Sequence, residues 1–200
     1  MLLNTKCGSA TVVAASTRKP ERQSRPGNVS GGMYVDHTCI DCDTCRWMAP
    51  QTFTRLGGKS AVTAQPAAGP ERAAALQALL ACPTFSIHVD DARPGELAAA
   101  RDAFPLAVDF TSDVFHLGSH SQRSYGAASY LVTRAAGGNV MVDVPRWNPH
   151  LAQRLASLGG VAFMVLTHRD DVADHAAWAA HFGAQRIIHA SEANRRQGTE

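Results

Sequence analysis

The chain has 200 residues, enough for one medium or two small domains, with 19 Lys and Arg against 17 Asp and Glu. Its formal charge of +2 is unevenly spread: residues 1–32 hold five basic residues and one acid, and the rest hold 14 basic and 16 acidic residues. A slightly acidic body excludes nucleic acid as the main partner, because phosphate binding needs a clustered basic face. The longest solid apolar run, Val161 to Leu166, is too short to cross a bilayer, so no membrane partner is expected.

The first 32 residues read as a tail. Lys6, Arg18, Lys19, Arg22 and Arg25 stand with the single acid Glu21, seven Ser and Thr, and Gly31-Gly32. That is the composition of an organelle transit peptide, and Val12-Val13-Ala14-Ala15 resembles the cleavage context of plastid ones. A chloroplast address is the expectation; the alternative is a disordered tail on a cytoplasmic protein. Five cysteines are an odd number, four of them in one pattern with Cys7 apart. This is not a secreted disulfide framework, and a reducing compartment is expected.

Residues 33–90 read as one unit. Met33-Tyr34-Val35 predicts a short strand, followed by a cysteine loop, Phe53 and a turn at Gly57-Gly58. Ser60 to Ala64 predicts a further strand. Leu76, Leu79 and Leu80 at helical spacing predict a helix over Glu71 to Ala81, ended by Cys82-Pro83. Ser86 to Val89 predicts an edge strand. Residues 91–103 have linker character with room for a short helix.

From about residue 104 the rhythm changes. Val114 to Leu117, Ser129 to Thr133 and Asn139 to Val144 predict strands, with Gly137-Gly138 as a hairpin signal. Asn148-Pro149 predicts an N-cap and first helical residue, and Gly159 ends that helix. Val161 to Leu166 predicts a strand buried on both faces. Asp171 to Phe182 predicts a second helix with Asp171 as N-cap, and Gln185 to His189 another strand. This strand–helix alternation predicts a partly parallel sheet.

The chemistry-bearing residues of the first unit are Cys39, Cys42 and Cys45, three apart, with Cys82 far downstream. Zinc sites usually draw ligands from two separate pairs, so a triple run is awkward for zinc and natural for an iron–sulfur cluster. The bacterial ferredoxin run is C-x2-C-x2-C-x3-C-P, whose fourth cysteine serves another cluster. Here that position is Ala49, with Pro50 retained, and Cys82-Pro83 supplies the fourth thiolate. Over roughly residues 33–90 the chain resembles single-cluster bacterial-type ferredoxins. The resemblance implies a ferredoxin-like α+β fold around one [4Fe-4S] cluster, one-electron transfer or redox sensing, and a redox partner protein. Asp41 and Asp43 make the loop acidic, which favours a low potential. A zinc knuckle on the same cysteines is the alternative. His37 is expected beside the loop or facing solvent.

A second constellation is T-H-R-D-D-V-A-D-H, Thr167 to His175, after the buried strand, where α/β sheets usually build sites. Two imidazoles and several carboxylates suit zinc, manganese or iron. The stretch resembles the T-H-x-H-x-D-H motif of the metallo-β-lactamase fold, in a variant found in plant and cyanobacterial members. Tyr130-Leu131-Val132 and Val140-Met141-Val142-Asp143 resemble that family's hairpin ending in a buried Asp. The resemblance implies His168 and Asp170 (or Asp171) as ligands of one metal. Asp174 and His175 would bind a second metal or orient the attacking water on an ester or thioester. Asp174 is the candidate catalytic residue. The motif spacing is longer than the family's, and the chain carries at most the first half of such a site. The bland reading makes Asp171 and Asp174 helix-start residues. Trp178 and His181 are expected in packing, and His116 and His120 in a loop.

The sequence therefore predicts an α+β chain. A ferredoxin-like domain over residues 33–90 and a linker over 91–103 lead into a partial metallo-β-lactamase αββα domain over residues 104–200. The function expected is one [4Fe-4S] cluster for electron transfer or redox sensing, with zinc or iron in the second domain. Metal-dependent hydrolysis with a structural cluster, or a non-catalytic interaction module, are the alternatives.

Overall fold

The structure is a computed structural model that describes residues 19–109 and 113–193. Cys7, the Val12–Ala15 segment and the last seven residues lie outside the described residues. Among those described, no helix is long and apolar enough to cross a membrane.

In the first unit, strand β1 (Met33–Val35) pairs antiparallel with β4 (Ile87–Val89), Val35 facing Ile87. Helix α1 (Thr44–Met48) carries the third cysteine of the run. Strands β2 (Phe53–Leu56) and β3 (Lys59–Val62) form a hairpin turned by Gly57 and Gly58, both at positive φ. Glycine reaches that conformation without a Cβ penalty. Helix α2 (Pro70–Ala81) starts on a proline, whose missing N–H is no loss in the first turn. It lays Ala75, Leu76 and Ala78 against Met33, Val35, Phe53 and Val62, with Cys39, Cys45 and Cys82 on the border of this core. The predicted strand at 60–64 thus starts earlier and ends at Val62.

Two expected boundaries shift. The tail predicted over residues 1–32 is packed from Arg22 onward. Arg22 Nη1 donates to the carbonyls of Thr84 (2.9 Å) and Phe85 (3.0 Å), and Asn28 Oδ1 accepts from the backbone of Val35 and Val62. Polar residues that look like tail composition here satisfy the edges of β1 and β3, which would otherwise be open. The predicted linker 91–103 contains α3 (Glu96–Asp102), whose Ala100 enters the first core. Arg72 on α2 bonds Asp91 and Glu96, tying that segment down.

The second unit is one six-stranded sheet in the order β10-β9-β8-β7-β6-β5. Its strands are β5 (Leu106–Ala107), β6 (Val114–His116), β7 (Tyr130–Val132), β8 (Val140–Val142), β9 (Phe163–Leu166) and β10 (Gln185–Ile188). β5 to β8 run antiparallel, and β8, β9 and β10 run parallel. The parallel steps are bridged by α4 (Pro149–Ser157) and α5 (His175–Phe182), as parallel neighbours require. Asn148 Oδ1 caps α4 as predicted, accepting from the N–H of His150 and Leu151. β5 is two residues long and had no readable pattern.

The helix predicted from Asp171 begins only at His175. Asp171 does not cap it, because residues 167–174 are held as a loop from outside. Asp143, at φ 51°, accepts from both the N–H and the hydroxyl of Thr167, each at 2.8 Å. The core under this sheet gathers Leu131, Met141, Met164, Leu166, Leu151, Leu155 and Trp178. Trp178 is fully buried and donates its indole N–H to the Pro145 carbonyl, in line with its predicted packing role. Ala81 joins this core and Met48 and Leu80 pack against both cores, so the two units share one continuous apolar interior.

Candidate metal centre

The run Cys39–Cys45 is bent by two non-glycine residues in the left-handed region, Asp41 (φ 61°) and Asp43 (φ 71°). Aspartate tolerates that conformation better than most residues. Each left-handed step turns the chain between successive cysteines, so that Cys39, Cys42 and Cys45 face one side. Cys82, on the residue where α2 ends, comes from the opposite direction. All four line one cavity, with Val35, Ile40, Thr44, Ser60, Pro83, Thr84, Ser86 and Ile87 completing the walls.

Burial pushes the Cys42 thiol up, against hydrogen bonds from the Thr44 hydroxyl and backbone. Burial pushes Cys45 up to about 12; the Ser60 hydroxyl opposes it, and the charges of the other three cysteines add to it. The thiols are thus close enough to resist joint ionisation, which a polynuclear cation would relieve. Donors for the thiolates are in place. Thr44 Oγ1 lies 3.4 Å from Cys42 Sγ, and the Ser86 N–H donates to Cys82 Sγ at 3.3 Å. Arg46 Nη1 donates to Ser60 Oγ at 2.7 Å, which turns the Ser60 hydrogen toward Cys45.

Asp41 and Asp43 do not leave the loop acidic. Asp41 pairs with Arg46 (2.8 Å) and Arg55 (2.7 Å), and Asp43 pairs with the same Arg46. The low-potential argument from two bare carboxylates is therefore corrected: the pairs fix the shape of the loop and cancel its charge. Ala49 is buried and receives the Thr52 and Phe53 N–H groups on its carbonyl, so the position vacated by a cysteine now packs α1 against β2. His37 is exposed, as expected.

Behind Cys82 lies Asp36, fully buried. Its carboxylate accepts from the Thr38 N–H (2.8 Å) and hydroxyl (2.6 Å), from His88 Nε2 (2.8 Å) and from Arg22 (3.3 Å). Burial alone would raise its pKa; the bonds from Thr38 and His88 outweigh it and hold the carboxyl below its ordinary value. A hydroxyl chain Thr38–Ser86–Thr84 then runs to within 3.7 Å of Cys82 Sγ.

The second unit covers the loop. A Cβ on Gly126 (φ 85°) would stand 2.8 Å from Cys42 Cβ and 3.2 Å from its Sγ. Arg146, half-buried, donates to the His120 carbonyl (3.1 Å) and lies over the Phe85 ring at 4.1 Å. Burial lowers its pKa, and the charges of Cys82 and Asp174 work against that. His116 and His120, expected in a loop, are a buried pair: His116 ends β6 and is 3% exposed, and His120 is 0% exposed. Their Nε2 atoms are 2.7 Å apart, and His120 Nδ1 is 3.0 Å from both the Gly126 carbonyl and Thr44 Oγ1. Burial pushes His116 down to about 3, with the charge of His120 adding, and pushes His120 down to about 4. Only His120 lies in the loop-like G-S-H-S stretch while His116 ends a short strand, so no sequence period links the two, which is why the pair was not legible.

The second constellation is not assembled. His168 is half-exposed, with Nδ1 3.7 Å from Asp170 and Nε2 3.7 Å from Glu192. Asp174 gives one oxygen to the Trp147 N–H (2.8 Å) and the other to Arg123. His175 opens α5, and burial followed by the charge of Arg186 lowers its pKa. Among the described residues no three His, Cys, Asp or Glu side chains are placed to hold a single metal ion. The predicted ligand set His168, Asp170, Asp174 and His175 is thus not brought together, and Asp174 serves the Trp147 backbone and Arg123 instead. Asp171, held up first by burial and then by the charge of Asp143, stands apart from them too.

The four cysteines, by contrast, share one cavity. Residues 35–89 match the family of the 4Fe-4S single cluster domain of ferredoxin I. No curated protein matches the chain. The match supports a [4Fe-4S]-binding role for this segment, within a mixed chain of helices and strands.

Proposed function

We propose that Cys39, Cys42, Cys45 and Cys82 hold one [4Fe-4S] cluster and that the chain is a one-electron carrier. The observation behind this reading is the shared cavity of four thiols, three from one loop and the fourth from the end of α2. Bound there, the cluster supplies reversible one-electron transfer at a potential set by hydrogen bonds and solvent access. The residues do the rest. Thr44, Ser60 and the Ser86 N–H donate to thiolates, Arg46 orients Ser60, and Arg146 brings a positive charge from the second unit toward Cys82. Ile40 and Phe85 are exposed apolar side chains beside the cysteine loop, and a redox partner protein would dock there.

The test is iron, acid-labile sulfide and zinc per chain in protein purified without oxygen, then electron paramagnetic resonance after dithionite. About four iron and four sulfide with a reducible signal is the expected result. Zinc without sulfide would overturn it in favour of a zinc knuckle.

Metal-dependent hydrolysis in the second unit is the weaker reading. The buried Asp143 gripping Thr167 supports the metallo-β-lactamase resemblance; the engagement of Asp174 by Arg123 and Trp147 counts against a metal there. Stoichiometric zinc binding lost in a His168→Ala/His175→Ala variant would restore it.

A further inference from the structure

Three hydroxyls stand in line between a buried carboxylate and one of the four cysteines. Thr38 Oγ1 is 2.6 Å from Asp36 Oδ1, and 2.7 Å from Ser86 Oγ. Ser86 Oγ is 2.6 Å from Thr84 Oγ1, which lies 3.7 Å from Cys82 Sγ. Ser86 and Thr84 are buried, so bulk solvent does not compete for their hydrogens.

The line has four links and three hydrogens, because each hydroxyl has one to give. One link must go without, and Asp36 decides which. Its pKa is held below the ordinary carboxylate value, so at neutral pH it is ionised and can only accept. It draws the Thr38 hydrogen, while His88 and Arg22 face its other oxygen. Thr38 then offers a lone pair to Ser86, which donates to it, and Thr84 in turn donates to Ser86. The link left without a hydrogen is the last: Thr84 presents a lone pair to Cys82, which keeps the Ser86 N–H as a donor at 3.3 Å. Had Thr84 donated to Cys82 instead, two oxygens at 2.6 or 2.7 Å would face each other with no hydrogen between them. Repulsion grows as separation shrinks, so the gap falls on the longest link.

We propose that Asp36 is a positioning residue: through Thr38, Ser86 and Thr84 it keeps an O–H donor off Cys82 and so holds the cluster potential down. This rests on the electron-carrier reading given above. A donor to a ligand sulfur favours the reduced, more negative state, and a lone pair in its place does the reverse.

The experiment is an anaerobic redox titration of the full chain read by electron paramagnetic resonance, with iron and sulfide counted in every sample. Thr38→Val removes the hydroxyl beside Asp36 and keeps its shape. Ser86 is then free to donate to Thr84, and Thr84 to Cys82. One hydrogen bond gained by a charged ligand is expected to shift the reduction equilibrium about tenfold toward the reduced form, a rise of about 59 mV for one electron. Thr38→Ser returns the hydroxyl and is expected to return the wild-type potential. Ser86→Ala frees Thr84 one link nearer the sulfur, is expected to give the same rise, and decides the matter if Thr38→Val fails to fold. In a Thr84→Val background, Thr38→Val is expected to be silent, which a general effect of packing or solvent access would not produce. A potential unmoved in both Thr38→Val and Ser86→Ala with iron and sulfide intact, or an equal rise in the Thr84→Val background, would overturn the proposal. Wild-type protein without iron and sulfide would overturn the cluster reading itself, and the proposal with it.

Discussion

The two constellations that carry chemistry in this chain are built from similar residue types in opposite ways. In the cysteine loop, left-handed turns at Asp41 and Asp43 and a helix end at Cys82 leave four thiols facing one cavity. At the end of β9, the candidate ligands of residues 168–175 are spread between solvent, an arginine and a backbone N–H. A run of ligand-type side chains becomes a site only when the backbone aims them at one point and neighbours orient them without consuming them. In the loop the acids are consumed and the thiols spared; at the strand end the acids and histidines are themselves engaged.

The sharpest way to break this comparison is to exchange its members. Cys82→Ser is expected to abolish the cluster, with iron and sulfide per chain falling to background. His168→Ala with His175→Ala is expected to leave both contents unchanged. A loss of iron in the second variant would show that the strand end contributes to metal binding after all.

Next in size is the support behind each region. Asp36→Ala removes the acceptor of Thr38, His88 and Arg22 from a fully buried position, and should cost about 3–5 kcal/mol in denaturant unfolding. Asp143→Ala removes only the two bonds from Thr167 and should cost about 1–3 kcal/mol. Equal losses would mean that the two regions are braced alike.

Gly126→Ala tests the contact between the units. It adds a Cβ within van der Waals overlap of Cys42 at a left-handed φ, and should lower stability by about 1–3 kcal/mol and speed loss of the cluster in air. Unchanged cluster lifetime would show that the second unit does not shield the loop.

The smallest effect is a pH dependence. His116 and His120 have folded-state pKa values of about 3 and 4, below the ordinary 6.5, so the unfolded chain binds more protons in between. Their contribution is complete well above pH 6.5 and is lost as the pH falls through that value toward the folded ones. Between pH 7 and 6 the loss is about 1 kcal/mol for the pair. Melting temperature across that interval measures it, and His116→Phe should flatten the slope. Asp36, whose pKa is lowered, adds a loss that sets in as the pH falls into the ordinary carboxylate range and is complete only below it.

Much of the frame was legible before the structure. The cysteine spacing with its two prolines, the helix over Leu76–Leu80, the Asn148 cap and a strand before Thr167 follow from local periods and turn chemistry; that strand, expected over Val161 to Leu166 and buried on both faces, runs from Phe163 to Leu166 and buries only the face of Met164 and Leu166. The packed segment from Arg22 to Gly32 was not legible. Its polar residues bond to backbone groups of strands distant in sequence, and composition cannot distinguish such pairing from solvation. The late start of α5 escaped for a related reason: Asp143, from another strand, holds the loop that local propensity would have coiled into helix.

What the sequence by itself determined is the donor set, three thiols at a fixed spacing and a fourth before a proline, because thiolate chemistry and backbone reach are local. What only the tertiary structure decided is which polar groups remain free to act. The buried His116–His120 pair, the cancelled charges of Asp41 and Asp43 and the engagement of Asp174 all depend on partners between 3 and 51 residues away. Hydrogen bonds and ion pairs are satisfied through space, and the fold sets which neighbours they find.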